Sequence, residues 1–570
     1  FCTLLAMDIE DTPAIFDAAQ QRGPHKGGAA PAAVPTRRRR TATGDAAADD
    51  APVLAPSSRV FMHTFGCGHN VSDGEYMAGQ LAADGHVVSD EFGDADCYVI
   101  NSCTVKNPSE DHFVSMLKRA RATGKPVVVA GCVPQGDPKN KQWADVSVVG
   151  VREIDRIGYV VGEALQGNTV RLFGAADDAE AAAARPSASR KGDRSMPALA
   201  LPKVRRNRLI EIVPINAGCL NFCTYCKTKH ARGDLQSWPV ADIVARVRAV
   251  VAEGIVEIRM TSEDTGAYGI DIGTDIVTLL RAVVKELEGT RVMLRLGMSN
   301  PPYLLRHLDG MCEVLKHPNV FEYLHLPVQT GSNAILDVMK REYTVEEFAR
   351  CVDTFTRNVP RIGLSTDIIC AFPGEGDREW QETMDLCAKY RFPYLNISRF
   401  YARRDTPAAA MKQVPTHISK QRSVALTALY NSYEGFNDFL VGTEQGMWLT
   451  EVAHDKHHLV GHTKEGFVQV LVDPAEASIG DHVTVRVTSA GKYSVKGTVV
   501  RINDTARILR SGGDAPAARA QVSSTPQTSS PQGGVAGWIR DRVSPFGVAL
   551  VSASLVLGYF MASRHVRHVK

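Results

Sequence analysis

Apolar and β-branched runs of strand length recur along this chain, separated by stretches whose apolar positions fall at helical spacing. From 58 to 172, Val60–Phe65, Cys97–Asn101, Val127–Ala130 and Val146–Val149 read as short buried strands. Ser72–Asp84 and Ser109–Thr123 between them are helix-compatible. Continuous apolar strands alternating with helices predict a small parallel α/β domain, because the crossover helices cover both faces of the sheet. Residues 201–437 repeat the alternation six times, at Ile210–Ile215, Ile255–Thr261, Val292–Leu296, Tyr323–Leu326, Gly363–Ile369 and Tyr394–Phe400. Six such units predict an open, partial TIM-type (β/α)6 barrel with its chemistry at the carboxyl ends of the strands. Over 438–503 the pattern turns to strict alternation, in Gly466–Val472, Val483–Thr488 and Tyr493–Val500. Val483, Val485 and Val487 share one face and Thr484, Arg486 and Thr488 the other, as in a strand of a small antiparallel β-barrel.

Other stretches lack a globular pattern. Residues 1–57 are rich in Ala, Pro, Gly and Asp, carry the isolated basic run Arg37–Arg40, and are expected to be disordered. Residues 173–200 and 504–542 read as linkers. The span 543–563 is uncharged from Pro545 to Ser563 and would extend about 28 Å as a helix, close to a bilayer's hydrocarbon core. Trp538, Arg540 and Arg542 precede it, and the basic tail 564–570 follows, as interfacial anchors do. This predicts a C-terminal transmembrane helix, a tail anchor that leaves the other domains in the cytosol.

Composition adds bounds. At 570 residues with 44% hydrophobic content, the chain suits several globular domains. A net charge of +2 neither requires nor excludes a nucleic-acid partner. Twelve cysteines are too few and too scattered for a disulfide scaffold, and those that cluster read as metal ligands in a reducing compartment.

Cys219, Cys223 and Cys226 lie in Gly-Cys-Leu-Asn-Phe-Cys-Thr-Tyr-Cys, spaced C-x-x-x-C-x-x-C. Three thiolates on one loop can hold three irons of a [4Fe–4S] cube and leave the fourth open. An open iron can take the amino and carboxylate groups of S-adenosylmethionine (SAM). A zinc knuckle is the alternative, although it usually needs a second ligand pair, and only His230 lies within reach downstream. Cys67, Cys103 and Cys132 lie in Thr-Phe-Gly-Cys-Gly-His-Asn, Asn-Ser-Cys-Thr-Val and Ala-Gly-Cys-Val-Pro, each at or just after a strand end. Open parallel sheets gather their ligands there, so these three read as the shell of a second cluster, with buried core thiols as the alternative. Cys97, Cys312, Cys351, Cys370 and Cys387 read as core residues.

These motifs, with Lys-Thr-Lys-His-Ala-Arg-Gly after the third cysteine, resemble the methylthiotransferase family, in particular its branch acting on threonylcarbamoyladenosine in tRNA. Similarity runs from about Arg59 to Arg501. The resemblance implies an auxiliary-cluster domain at 58–172, a radical-SAM core at 201–437 and an RNA-binding TRAM domain at 438–503. It implies two [4Fe–4S] clusters and SAM as cofactors, tRNA as partner, and the endoplasmic reticulum for the membrane-anchored type. The implied reaction is methylthiolation at C2 of N6-threonylcarbamoyladenosine at position 37, beside the anticodon. That C–H bond is beyond general acid–base chemistry, whereas a radical derived from SAM can activate it, and the second cluster gives the sulfur a place. Catalytic and metal-binding roles fall on Cys67, Cys103, Cys132, Cys219, Cys223 and Cys226. SAM contacts fall on Ser262, Glu263, Gln329 and Asp367, each with a satisfied structural polar group as the alternative. Two residues depart from the family pattern, Ala371 and Asp405, both at positions that commonly hold glycine. The sequence names no electron donor. Two other readings stay open: a sibling acting on isopentenyladenosine in tRNA, and a non-catalytic, zinc-stabilised RNA-binding membrane adaptor.

Overall fold

The computed structural model describes residues 57–104, 107–173 and 196–510. Six strands, β1 (Arg59–Thr64), β2 (Val87–Ser89), β3 (Cys97–Ser102), β4 (Val127–Gly131), β5 (Ser147–Val149) and β6 (Arg171–Leu172), pair in parallel throughout. Their order is β2-β1-β3-β4-β5-β6. Helices α1 (Gly68–Ala83) and α4 (Ile157–Leu165) bury Met77, Leu81, Val160 and Val161 against one face. Helix α2 (Asn107–Arg121) buries Phe113 and Leu117 with Trp143 against the other. Covering both faces is why β3 and β4 are apolar at nearly every position. Helix α3 (Cys132–Gly136) starts directly from the end of β4.

The second unit of structure runs in chain order. Strands β7 (Ile210–Pro214), β8 (Glu257–Thr261) and β9 (Met293–Leu296) make one parallel sheet, and β10 (Tyr323–His325), β11 (Gly363–Cys370) and β12 (Tyr394–Arg399) another. A parallel bridge between Leu294 and Val320 joins the sheets, giving the open six-stranded partial barrel that the spacing predicts. Its helices carry clear start signals. Asp275 caps Ile276–Leu287, and Thr344 with Glu347 forms a capping box on Val345–Asn358. Helix α5 (Thr228–Arg232) follows the third cysteine of the C-x-x-x-C-x-x-C loop.

Five strands form a closed barrel after this: β13 (Glu444–Val452), β14 (Leu459–His462), β15 (Gln469–Val472), β16 (Asp481–Ala490) and β17 (Ser494–Thr505). Val483, Val485 and Val487 line its core as alternation predicts. The barrel is not purely antiparallel, since β15 and β17 pair in parallel. It closes the amino end of the partial barrel, away from the cysteine loops. Lys464 Nζ meets Glu322 at 2.6 Å, Tyr394 donates to the carbonyls of Gly466 and Phe467, and Phe467 packs edge-on to Phe321.

The expected C-terminal transmembrane helix is corrected. Among the described residues no helix is long and apolar enough to cross a membrane, and 543–563 lies outside the described residues. The fold class is therefore a parallel α/β domain, a partial (β/α)6 barrel and a small β-barrel, with no membrane-crossing helix among the described residues. The expected disorder of 1–57 falls almost wholly outside the described residues.

Candidate cluster-binding site

The parallel sheet brings Cys67, Cys103 and Cys132 together at the carboxyl ends of its central strands. Cys67 sits immediately before α1, Cys103 immediately after β3, and Cys132 opens α3. Because β1 and β3 are neighbours, the Cys67 and Cys103 sulfurs come within 3.9 Å although 36 residues separate them. Two glycines make room. Gly66 and Gly131 hold φ of 94° and 90°, and a Cβ would strike the Cys103 side chain from the first and the Ser102 backbone from the second. A hydrogen bond to Cys103 and burial push the Cys67 thiol up, and burial pushes Cys132 up to about 12. Buried, crowded thiols hold their protons, and binding a soft metal centre would displace those protons.

Cys219, Cys223 and Cys226 fill the loop between β7 and α5, at the carboxyl end of the partial barrel. The Cys226 amide donates to the Cys223 carbonyl at 3.1 Å, and the Thr228 amide to the Cys226 sulfur at 3.4 Å. Burial raises Cys219 and Cys223, and Arg341 pulls Cys223 back down through a contact of 3.3 Å. Arg341 also donates to Asn300 and Tyr343. Asn300 in turn donates to Asp264, whose carboxyl burial lifts to about 6. No group of three or more His, Cys, Asp or Glu among the described residues forms the shell of a single metal ion. A cube needs a wider shell, because each thiolate binds a different iron. Both cysteine sets fit such a group in residue type and number.

The other sequence-predicted residues divide. Ser262 accepts from the Asp264 amide at 3.0 Å. Asp367 accepts from Asn396 at 2.8 Å and meets His325 Nε2 at 3.0 Å. Gln329 is buried at φ 73°, its backbone bonded to Asp367 and Ile369 on β11. Glu263 turns toward the first domain: its Oε1 lies 2.9 Å from His69 Nδ1 and 3.1 Å from Arg232 Nε. Arg232, buried at the end of α5, reaches Cys132 Sγ at 3.3 Å and Asp73 at 2.6 Å. His69, Asp73, Arg232 and Arg341 are the functional candidates that motif reading passed over. His69, Asp73 and Arg232 line a cavity together with Tyr76, Arg152, Trp238 and others.

Comparison with known proteins decides the family. The chain is 44% identical over 98% of both chains to a threonylcarbamoyladenosine tRNA methylthiotransferase of Danio rerio. The chain belongs to the threonylcarbamoyladenosine tRNA methylthiotransferase family. A human member is 46% identical over 82% of this chain and 77% of its own. A probable member from Pyrococcus horikoshii is 37% identical over 66% of this chain and 85% of its own. Residues 213–387 match the Radical SAM superfamily, 438–500 the TRAM domain, and 59–150 a family described as uncharacterized protein family UPF0004. As a methylthiotransferase of the radical-SAM class the protein is a transferase enzyme, with an iron–sulfur cluster and SAM as cofactors.

Proposed function

We propose that this protein methylthiolates C2 of N6-threonylcarbamoyladenosine at position 37 of tRNA, giving 2-methylthio-N6-threonylcarbamoyladenosine. We assign it two [4Fe–4S] clusters, one on Cys219, Cys223 and Cys226 and one on Cys67, Cys103 and Cys132. The observation that carries this reading is the contact between Arg232, six residues after Cys226, and Cys132 of the other cysteine set, in a chain whose relatives are named threonylcarbamoyladenosine tRNA methylthiotransferases.

When bound, SAM and the clusters supply the radical and the sulfur chemistry that protein side chains lack. The chain's own residues hold and insulate these groups. Each cysteine set offers three thiolates and leaves one coordination position for a non-protein ligand. Arg341 places a permanent positive charge and an N–H donor on Cys223. Ser262, Glu263, Gln329 and Asp367 are the proposed SAM contacts. Of these, Asp367 is held by His325 and Asn396, so its orientation is set before any ligand arrives. The β-barrel supplies exposed Arg486, Lys496 and Arg501 for RNA phosphates.

Mass spectrometry of nucleosides from cells lacking the protein tests the assignment. The 2-methylthio form of threonylcarbamoyladenosine should disappear, its unmodified parent should accumulate, and the wild-type gene should restore the product. Loss of the methylthio form of isopentenyladenosine instead would identify the sibling activity. Colourless, zinc-containing protein after anaerobic purification would favour the non-catalytic adaptor.

A further inference from the structure

Arg232 links the segment after one cysteine set to a cysteine of the other. It is carried by α5, directly downstream of Cys226, yet its guanidinium points out of its own loop into the neighbouring domain. The residue is 3% exposed. Its Nε lies 3.3 Å from Cys132 Sγ and 3.1 Å from Glu263 Oε1, and its Nη2 donates to Asp73 Oδ2 at 2.6 Å. His69, two residues after Cys67, meets the same Glu263 oxygen at 2.9 Å. From the other side, Arg152 Nη2 donates to the Arg232 carbonyl at 3.0 Å. A guanidinium is planar and permanently charged, so Asp73 on Nη2 and Glu263 beside Nε fix its plane and with it the direction of the single Nε–H. The direction chosen here is toward a cysteine sulfur of another domain.

We propose that Arg232 is a positioning residue for the second cluster, fixing Cys132 and setting that cluster's reduction potential, with Glu263 and Asp73 orienting the guanidinium. The proposal rests on the reading that Cys67, Cys103 and Cys132 hold a cluster. An N–H···S bond draws electron density from a ligating thiolate, and a buried cation favours the form with one more electron. Hydrogen bonds to the sulfurs and the net charge around a cluster are the protein's main controls on its potential. In an interior that screens charge poorly, one arginine at this distance outweighs any surface charge. Arg232 thereby makes the second cluster easier to reduce. It also ties the loop that carries Cys219, Cys223 and Cys226 to the domain that carries Cys132.

The test uses the full chain with Cys219→Ala, Cys223→Ala and Cys226→Ala, so that only the second set remains, loaded with iron and sulfide under anaerobic conditions. Iron content and the midpoint potential from an EPR-monitored titration are read for this parent and for added Arg232→Met, Arg232→Lys and Glu263→Gln. The parent should bind one cluster. Arg232→Met should shift its midpoint to more negative potential and alter its spectrum. Arg232→Lys should recover part of that shift, because charge returns without the planar fork. Glu263→Gln should shift the midpoint the other way, since it removes a negative charge beside the guanidinium. Should Arg232→Met bind no iron, Arg232→Lys and Glu263→Gln decide by the same shifts. Midpoints indistinguishable from the parent in those two overturn the proposal. A parent that binds no iron overturns the two-cluster reading instead.

Discussion

Arg341 Nη1 lies 3.3 Å from Cys223 Sγ, so a half-buried guanidinium faces the C-x-x-x-C-x-x-C loop as the buried Arg232 faces Cys132. Tyr343 and Asn300 hold Arg341 in that direction. A hydrogen bond from a charged donor contributes about 1.5–3 kcal/mol, which corresponds to about 10–100-fold in rate if it acts on the rate-limiting step. Arg341→Met should therefore lower reductive SAM cleavage by about 10–100-fold, and Arg341→Lys should restore part of it. Formation of 5′-deoxyadenosine in single-turnover assays reports this, and an unchanged rate would make Arg341 merely structural.

The small barrel offers a second test. Docking is too intimate for a clean truncation, because Phe467 and Lys464 enter the amino end of the partial barrel. Point changes on its outer surface are informative. Arg486, Lys496 and Arg501 are exposed. Removing one cation that neutralises a phosphate should lower the salt slope of tRNA binding by about 1. Arg486→Gln, Lys496→Gln and Arg501→Gln together should flatten the slope by up to about 3 and leave SAM cleavage without tRNA untouched. An unchanged slope would assign the barrel a packing role only.

A pH dependence follows from His462, which stacks on Phe467 with ring centroids 4.1 Å apart. Burial pulls its pKa from 6.5 down to about 4, with Arg259 and Arg295 adding to the effect and Glu257 and Glu451 opposing it. As pH falls below 6.5 the unfolded chain takes up a proton that the folded one refuses. The stability present above pH 6.5 is thus lost progressively toward pH 4, by about 3 kcal/mol in all. Urea unfolding at pH 7 and pH 5 should show a smaller drop for His462→Phe, which keeps the stacked ring without the titrating group. An equal drop in both would remove His462 as the cause.

Strands buried on both faces, such as β3 and β4, were legible because no position in them can be polar without a partner. β2 and β6, with three and two residues at the sheet edges, are too short for any periodicity to register. β13 passed unread because its exposed and buried positions do not alternate cleanly. The cysteines were legible by type and by strand-end position. Arg232 was not, because its partners Asp73 and Cys132 lie 159 and 100 residues away. The place of Glu263 after β8 was legible, whereas the His69 and Arg232 groups against it appear only on folding. At the two departures from family glycine, Ala371 and Asp405 both hold φ 63°. Asp405 tolerates that conformation and also meets Lys227 at 3.3 Å, beside Cys226. Ala371 has no such compensation in its side chain and bears a strain of about 1–2 kcal/mol.

The central claim is a division of labour between two cysteine sets, and one paired measurement tests it most directly. SAM cleavage and methylthio-nucleoside formation are measured side by side on tRNA carrying threonylcarbamoyladenosine. Replacing Cys219, Cys223 and Cys226 by Ala should abolish both. Replacing Cys67, Cys103 and Cys132 by Ala should leave reductive SAM cleavage measurable and eliminate the methylthiolated product. Product formed at the wild-type rate by the second variant would contradict the account.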